Sequence, residues 1–208
     1  MEPSILPSRF ILPINIVRPK GSARFEFWAP KLKRRVTLFN PQHVKLCTYL
    51  ESNPRVSAYC ERPTYWRSGE DKQLIDFWIK AGHRELCWIA TSDLLLGRAG
   101  ALSQTENIDV HYVQPQSLAS HEVWIENWMR ILPYLSSNAC FVSNQLLADI
   151  EQAALTAPTL GEIERNFQPN DIMLVRTAVF MLLHQGRLRA DALRVQALGP
   201  GINFRRLP

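Results

Sequence analysis

The sequence lacks the features that mark several common classes of protein. Its four cysteines are scattered without a CxxC pair, so neither a zinc site nor a disulfide framework is indicated, and buried free thiols are expected. No run of about 18 apolar residues occurs, which argues against a membrane-spanning helix. The amino terminus, MEPSILPSRF, has neither the basic start nor the apolar stretch of a signal peptide. These absences predict a soluble cytoplasmic protein with no membrane partner.

Internal repeats and low-complexity tracts are also absent, and the chain has enough apolar material for a core. Of its 208 residues, 46% are hydrophobic, and this length allows either one domain or two small ones. A change of pattern near residue 120 favours two. We expect an extended basic arm over 1–35, a first domain over 36–120, and a helical second domain over 121–208.

Positive charge is concentrated in two clusters, although the formal net charge is only +5. The first cluster lies in RPKGSARFEFWAPKLKRR, at 18–35, and the second lies near the carboxyl terminus. Clustered basic residues are typical of a protein that binds a polyanion such as DNA, and a solvated basic face is the alternative. The residues predicted to contact DNA phosphates are Lys31, Lys33, Arg34, Arg35, Arg187, Arg189, Arg205 and Arg206.

The segment 36–120 predicts one helix followed by short strands. NPQHVKLCTYLESN, at 40–53, begins with an asparagine suited to cap a helix and with proline at the first helical position. It ends before Pro54. Four segments of β-type composition follow, RVSAYCERP, TYWRS, KQLIDFWIKA and ELCWIA, and they predict a mostly antiparallel meander. ENIDVHYV, at 106–113, predicts a further strand.

Beyond Pro115 the apolar residues recur at helical spacing. This spacing predicts helices over 121–135, 142–155, 159–167 and 170–186, and the third begins with the capping-box sequence TLGE. The remaining segment predicts two brief strands around 199–201. Three helices followed by a hairpin predict a winged helix. The chain as a whole is therefore expected to be mixed α/β, with a winged-helix domain at its carboxyl end.

The stretch LIDFWIKAGHRELCWIAT, at 74–91, carries half of a pattern used by metal-dependent nucleases. Such enzymes hold a divalent cation with carboxylates on two adjacent strands, usually assisted by a lysine. Asp76 stands in the first strand, but Trp88 and Ala90 occupy the second where an acid and a lysine would be expected. Glu85 is a second candidate acid, although its odd spacing from Trp88 places it on the opposite face of a regular strand. A structural role for Asp76 is therefore favoured over a working metal site.

The run LESNPRVSAYCERPTYWRSGEDKQLIDFWI contains a helix, a phrase similar to "dP.V..y.eqP", and an aspartate–phenylalanine strand, in that order. Further along stand VWIENWMRILPYL, TLGEIERNF and RTAVFMLLHQGRLRADAL. With these motifs the chain resembles the TnsA family, the endonuclease subunit of heteromeric cut-and-paste transposases, over most of 36–208. The resemblance implies a restriction-endonuclease-like first domain and a carboxy-terminal winged helix that contacts partner proteins. It also implies a DDE-type transposase subunit and an AAA+ regulator as partners.

The resemblance implies where catalytic residues would lie, and the sequence departs from the family there. The family's catalytic glutamate falls near His43, and its (E/Q)xK motif falls on 88–90, so only Asp76 is retained. The family's helix after the second strand is expected to be shortened to LLLGRAGALSQ. Trp88 is expected to close the pocket beside Asp76, in which case the carboxylate would be hydrogen-bonded or paired, because an isolated buried carboxylate is costly.

The leading hypothesis is a DNA transposition accessory protein that binds transposon ends and partner subunits without cutting, and it calls for no cofactor. One alternative is an active endonuclease that nicks transposon ends with Mg²⁺, using Asp76 with Glu85 or with a residue from a partner. A second alternative is a winged-helix regulator that reads bases with its helix at 170–185. The residues of that helix expected to be exposed for this role are Arg176, Thr177, His184 and Gln185.

Overall fold

A computed structural model describes residues 10–68, 71–90 and 109–207, which form a mixed α/β structure. No helix within these three ranges is long and apolar enough to cross a membrane. The segment LLLGRAGALSQ, predicted as a shortened helix, lies outside the described residues. The mixed α/β class expected from the sequence is confirmed.

The first folded element is a hairpin of β1 (Phe25–Ala29) and β2 (Arg34–Leu38), which pair antiparallel. Alternate side chains of the hairpin turn inward, and Ala29, Val36 and Leu38 are buried in a hydrophobic core that we call the first core. The segment predicted as an extended arm is therefore folded over residues 25–35. Only residues 10–24 of the described part of that segment run outside the hairpin.

The predicted first helix is confirmed as α1 (Pro41–Ser52). The side chain of Asn40 accepts a hydrogen bond from the Gln42 amide and Pro41 occupies the first helical position, as the sequence indicates. Leu46, Cys47 and Leu50 are buried against the strands. In the first turn of the helix, the His43 ring packs against Phe77.

The central sheet has the order β3 (Val56–Glu61), β6 (Phe77–Ala81), β7 (Arg84–Ala90) and β8 (Asp109–Val113). The first three strands pair antiparallel, as predicted, but β3 pairs with β6 and not with the next strand in sequence, so the predicted meander order is wrong there. The strand β8 runs parallel to β7. A parallel neighbour needs a crossover connection in place of a tight turn. Strand composition does not encode this direction, so the sequence predicted the strand and not its orientation.

KQLIDFWIKA, predicted as one strand, is interrupted after the hairpin of β4 (Tyr65–Ser68) and β5 (Asp71–Leu74). The Ile75 amide donates to the Thr64 carbonyl, and the Asp76 amide donates to the Trp88 carbonyl. These two bonds fix the path of the chain between the β4–β5 hairpin and the central sheet. Asp76 consequently lies at the start of β6, beside the end of β7.

The carboxy-terminal part contains α2 (Pro115–Ala119), α3 (Glu122–Asn138), α4 (Asn144–Ala153), α5 (Leu160–Asn166) and α6 (Ile172–His184). A short hairpin of β9 (Leu188–Arg189) and β10 (Arg205–Arg206) follows. All four predicted helices are confirmed, and Thr159 with Glu162 completes the predicted capping box of α5. The helices and the hairpin enclose the larger core, which includes Trp128, Ile150, Phe180 and Phe204.

The two cores meet where α1 packs against α3 and α6. The Trp124 indole donates to Ser52 Oγ at 2.7 Å, and His184 Nε2 lies 3.0 Å from Glu51 Oε2. Glu51 is fully buried and also accepts from the Tyr59 hydroxyl at 2.8 Å. A buried carboxylate with several partners holds this junction in one arrangement, because a lost partner would leave a desolvated charge.

Free thiols and tryptophans lie largely where the sequence indicates. Three cysteines are buried, and Cys140 is exposed. Trp78 and Trp128 are fully buried, as expected of core anchors, whereas Trp28 is 44% exposed on β1.

Candidate functional site

Three elements converge on Asp76 at one end of the central sheet. The helix α1 contributes His43, the start of β6 contributes Asp76 itself, and the end of β7 contributes Trp88 and Ala90. Asp76 Oδ2 accepts a hydrogen bond from the Ala90 amide at 2.7 Å, and Oδ1 lies 3.4 Å from His43 Nε2. The Asp76 side chain is only 13% exposed. The expectation that this carboxylate is hydrogen-bonded is therefore confirmed.

Burial controls the ionisation of the His43–Asp76 pair. It raises the pKa of Asp76, an effect that the nearby imidazole, the Ala90 amide and the charge of Arg62 each oppose. Burial also lowers the pKa of His43, with the carboxylate opposing the shift and Arg62 adding to it. The edge of the His43 ring packs on Phe77, with ring centroids 5.9 Å apart. The site thus disfavours charge on either group.

Trp88 and Ala90 line the strand edge that faces Asp76. Trp88 is paired with Phe77 across β6 and β7, and both Trp88 and Ala90 are half-buried against the first core. Neither an indole nor a methyl group ligates magnesium or carries a proton. Within the described residues, no group of three histidine, cysteine, aspartate or glutamate side chains is placed to hold a metal ion.

Glu85 does not join this site. Its carboxylate accepts from the indole of Trp78 at 3.0 Å, and Trp78 packs with Cys87 in a separate small core cluster. Glu85 also lies three residues before Trp88, about 10 Å along the strand at the usual rise. The prediction that odd spacing places it on the opposite face is confirmed, so the two carboxylates do not converge.

The basic residues of the first cluster divide into two kinds. Lys31 Nζ donates to the carbonyls of Leu50, at 2.8 Å, and Asn53, which closes the last turn of α1. Burial lowers the pKa of Lys31 to about 8. The Arg34 guanidinium makes two hydrogen bonds, of 2.7 and 2.5 Å, to the buried carboxylate of Glu61. Both residues are engaged in internal contacts.

Two other basic residues of the first cluster, Lys33 and Arg35, are exposed. Lys33 has a φ of +51°, which places it in the left-handed turn of the hairpin. Contact of the cluster with DNA stays a prediction. The geometry makes Lys33 and Arg35 its accessible members.

The basic residues of the second cluster share two carboxylates. Arg187 donates twice to Glu151, and Arg206 Nε lies 3.8 Å from the same side chain. Arg189 and Arg205 both pair with Asp191. All four guanidinium groups are exposed at the β9–β10 hairpin. They outnumber their carboxylate partners, so this hairpin presents an excess of positive charge.

The helix α6 is more buried than the sequence predicts. Thr177 is fully buried, and its hydroxyl donates to the Met173 carbonyl at 2.6 Å, so its expected exposure is wrong. Arg176 pairs with Glu164 at 2.6 Å, and His184 contacts Glu51. Of the four residues expected to be exposed for reading bases, only Gln185 is exposed. Most of the surface of α6 is buried because α3, α4 and α5 all pack against it.

Sequence reasoning missed Arg62, which adjoins the site. Its amide donates to the Asp76 carbonyl at 2.8 Å, and its φ of +46° is unusual for a residue with a side chain. The residue is only 8% exposed. The one available signal was a charged residue directly before Pro63 at the end of a predicted strand.

No model of a known protein family matches this chain, and a search of curated proteins finds no significant match. The functional argument therefore depends on the residues and geometry described above.

Proposed function

We propose that this chain is a TnsA-like accessory protein of DNA transposition, which binds transposon-end DNA and partner subunits through a nuclease-like domain that does not cut. The proposal takes residues 36–120 as a restriction-endonuclease-like domain and residues 121–208 as a helical domain that includes a winged helix. A helix followed by three antiparallel strands and a parallel fourth strand supports the first assignment. The helices α4 to α6 with the β9–β10 hairpin support the second.

The observation that carries the proposal is the meeting of His43, Asp76, Trp88 and Ala90 at one end of the sheet. The TnsA resemblance aligns three of these positions, His43, Trp88 and Ala90, with metal-binding or catalytic residues, and the structure brings them to the one retained acid. Here one Asp76 oxygen accepts from a main-chain amide and the other faces an imidazole. Cleavage of a phosphodiester needs a divalent cation held by several oxygen ligands. This group of side chains keeps the framework of such a centre without its chemistry.

DNA binding is supported by where the accessible positive charges lie. Lys33 and Arg35 project from the β1–β2 hairpin, and four arginines project from the β9–β10 hairpin. Contacts of this kind with phosphates give affinity that is largely independent of DNA sequence. Sequence reading and strand chemistry then fall to the partners that the resemblance implies, a DDE-type transposase and an AAA+ regulator.

An active nuclease would need its missing ligands from outside the described residues, because Glu85 faces away from Asp76. A base-reading regulator would need exposed side chains along α6, which instead packs into the core. Neither alternative has an observation of its own in its favour.

The proposal is tested by measuring DNA affinity by fluorescence anisotropy over a range of salt concentrations, with EDTA and separately with Mg²⁺. We expect binding that weakens steeply with salt, with a logarithmic slope of about −0.9 for each phosphate contact, and that does not depend on the metal. Lys33→Ala combined with Arg35→Ala should reduce both affinity and slope. Arg130→Ala, which removes an exposed charge outside both clusters, is the matched control and should change neither. Absence of DNA binding at low salt, or binding that requires metal, would contradict the proposal.

A further inference from the structure

A cavity of about 520 Å³ separates the extended segment 12–16 from the strands behind it, and we call it the arm cavity. Thr37, Phe39 and Arg62 line it together with Arg18 and Arg24. The Ile14 amide donates to the Arg62 carbonyl at 2.8 Å, which fixes the segment across the opening. The volume falls within the range of sites that bind small molecules or groups.

The lining of the arm cavity carries charge of one sign. Three arginines, Arg18, Arg24 and Arg62, line it, and no aspartate or glutamate stands among its described lining residues. Arg18 donates to the Ser22 carbonyl, and Arg24 pairs with Glu26 on the exposed side of β1. A guanidinium group has five N–H donors, so these contacts leave donors on each group for a ligand.

Arg62 is the buried member of the three. Its Nη1 donates to the Thr37 carbonyl at 2.8 Å, and its Nε is buried with no acceptor among the described residues. Its guanidinium lies 5.6 Å from the centre of the Phe39 ring. A buried cation is costly unless its charge is compensated. Because Arg62 lines the arm cavity, its guanidinium group is placed to interact with an anion there.

The backbone of Arg62 is held in an unusual conformation that fixes this position. Its φ of +46° lies in the left-handed region, and two main-chain bonds, to Asp76 and to Ile14, hold it there. Such conformations persist where the surrounding structure enforces them and are frequent at binding sites. The same contact with Asp76 places the arm cavity beside the nuclease-like centre.

We propose that the arm cavity binds a phosphate group, with Arg62 as its inner donor and Arg18 and Arg24 as its outer donors. Guanidinium groups match phosphate oxygens in geometry and charge. The group is either a backbone phosphate of DNA or a free phosphate ion. The first source depends on the proposed DNA-binding function, and it would anchor the DNA backbone next to Asp76.

The first experiment uses inorganic phosphate as the probe and measures thermal unfolding of the full chain in chloride buffer. Phosphate should raise the melting temperature of the wild type, because a ligand that binds only the folded state stabilises it. Arg62→Met should abolish this rise. The double variant Arg18→Met with Arg24→Met alters only exposed side chains and should weaken phosphate binding by about tenfold. Lys20→Met, an exposed basic residue of the same segment outside the lining, is the matched control and should respond like the wild type.

The second experiment repeats the variants with a short DNA duplex, measured by anisotropy. A parallel loss of DNA affinity identifies the ligand as a backbone phosphate. Unchanged DNA affinity, with phosphate binding lost, identifies a site for the free ion and also supports the proposal. A wild type whose melting temperature does not respond to phosphate, or a double variant that responds as the wild type does, overturns it. If the protein binds no DNA at all, the first experiment still decides what the cavity does.

Discussion

The Asp76 carboxylate accepts a hydrogen bond from the Ala90 amide and faces the half-buried imidazole of His43. Contacts of this kind are typical of a polar side chain with a structural role. Burial nevertheless raises the pKa of its carboxyl group, so the fold bears a cost for the ionised form at neutral pH. The amide oxygen of asparagine can accept the same bond from Ala90 without carrying a charge.

Asp76→Asn should therefore gain stability relative to the wild type as pH rises. A group whose pKa is raised on folding contributes its full stability below the unfolded pKa, and loses that contribution as pH rises through the folded value. Asparagine does not titrate, so the difference in free energy of unfolding should shift towards the variant as pH rises above the ordinary pKa of an aspartate, about 4. Urea denaturation at several pH values measures it. A difference that is constant with pH would show that the pKa is not raised.

At the scale of the elements, the β1–β2 hairpin combines two uses of basic residues. Lys31 closes the end of α1, and Arg34 neutralises the buried Glu61, whereas Lys33 and Arg35 stay exposed. Arg34 and Arg35 differ because neighbouring side chains of a strand point to opposite faces, whereas Lys31 and Lys33 lie in the turn before β2.

Lys31→Met should lower the free energy of unfolding by about 1 kcal/mol, because it removes hydrogen bonds to two carbonyls at the end of α1. Lys33→Met removes the same charge from an exposed position two residues away and is the matched control. It should leave stability unchanged and weaken DNA binding. Urea denaturation of both variants measures the first effect, and anisotropy measures the second. Equal stability of the two variants would contradict the assigned role of Lys31.

The elements that the sequence predicts well are those with local signals. Asn40 with Pro41 marks the start of α1, and Thr159 with Glu162 marks the start of α5, and these signals lie within a few residues of the element itself. The break before Asp76 depends on bonds to Thr64 and Trp88, which the local sequence does not specify. The parallel direction of β8 is likewise set by its connection and not by its composition.

The same distinction applies to the candidate site. Spacing along two strands was enough to place Trp88 and Ala90 beside Asp76, because register in a tight hairpin is regular. Arg62 was missed, because its role depends on a left-handed backbone and on packing by a segment nearly fifty residues away. Lys31 was predicted as a DNA contact because it lies in a basic cluster. Its carbonyl partners at the end of α1 lie about twenty residues away, so the local sequence does not reveal its internal role.

At the scale of the whole molecule, the junction between the two cores is closely packed. Gly186 has a φ of +72°, and an added Cβ would lie 2.8 Å from the Cβ of Pro54. The glycine therefore follows the end of α6 in a left-handed conformation and also allows the close approach of this turn to Pro54, after α1.

Gly186→Ala should lower the free energy of unfolding by about 1–3 kcal/mol, from strain in the left-handed backbone and from the clash with Pro54. Gly201→Ala is the matched control, because an added Cβ there meets no atom within 4 Å. It should change stability by less than about 0.5 kcal/mol. Urea denaturation measures both variants. A Gly186→Ala protein as stable as the control would show that the junction is loose.

The most direct measurement of the central claim is a cleavage assay on DNA that carries transposon ends, with Mg²⁺ or Mn²⁺ and with the proposed transposase partner present or absent. Among the described residues the carboxylate of Asp76 has no second acid beside it, and Trp88 and Ala90 offer no ligand, so no Asp76-dependent cut should appear under any of these conditions. Cleavage by the wild type that disappears in Asp76→Ala would contradict this account.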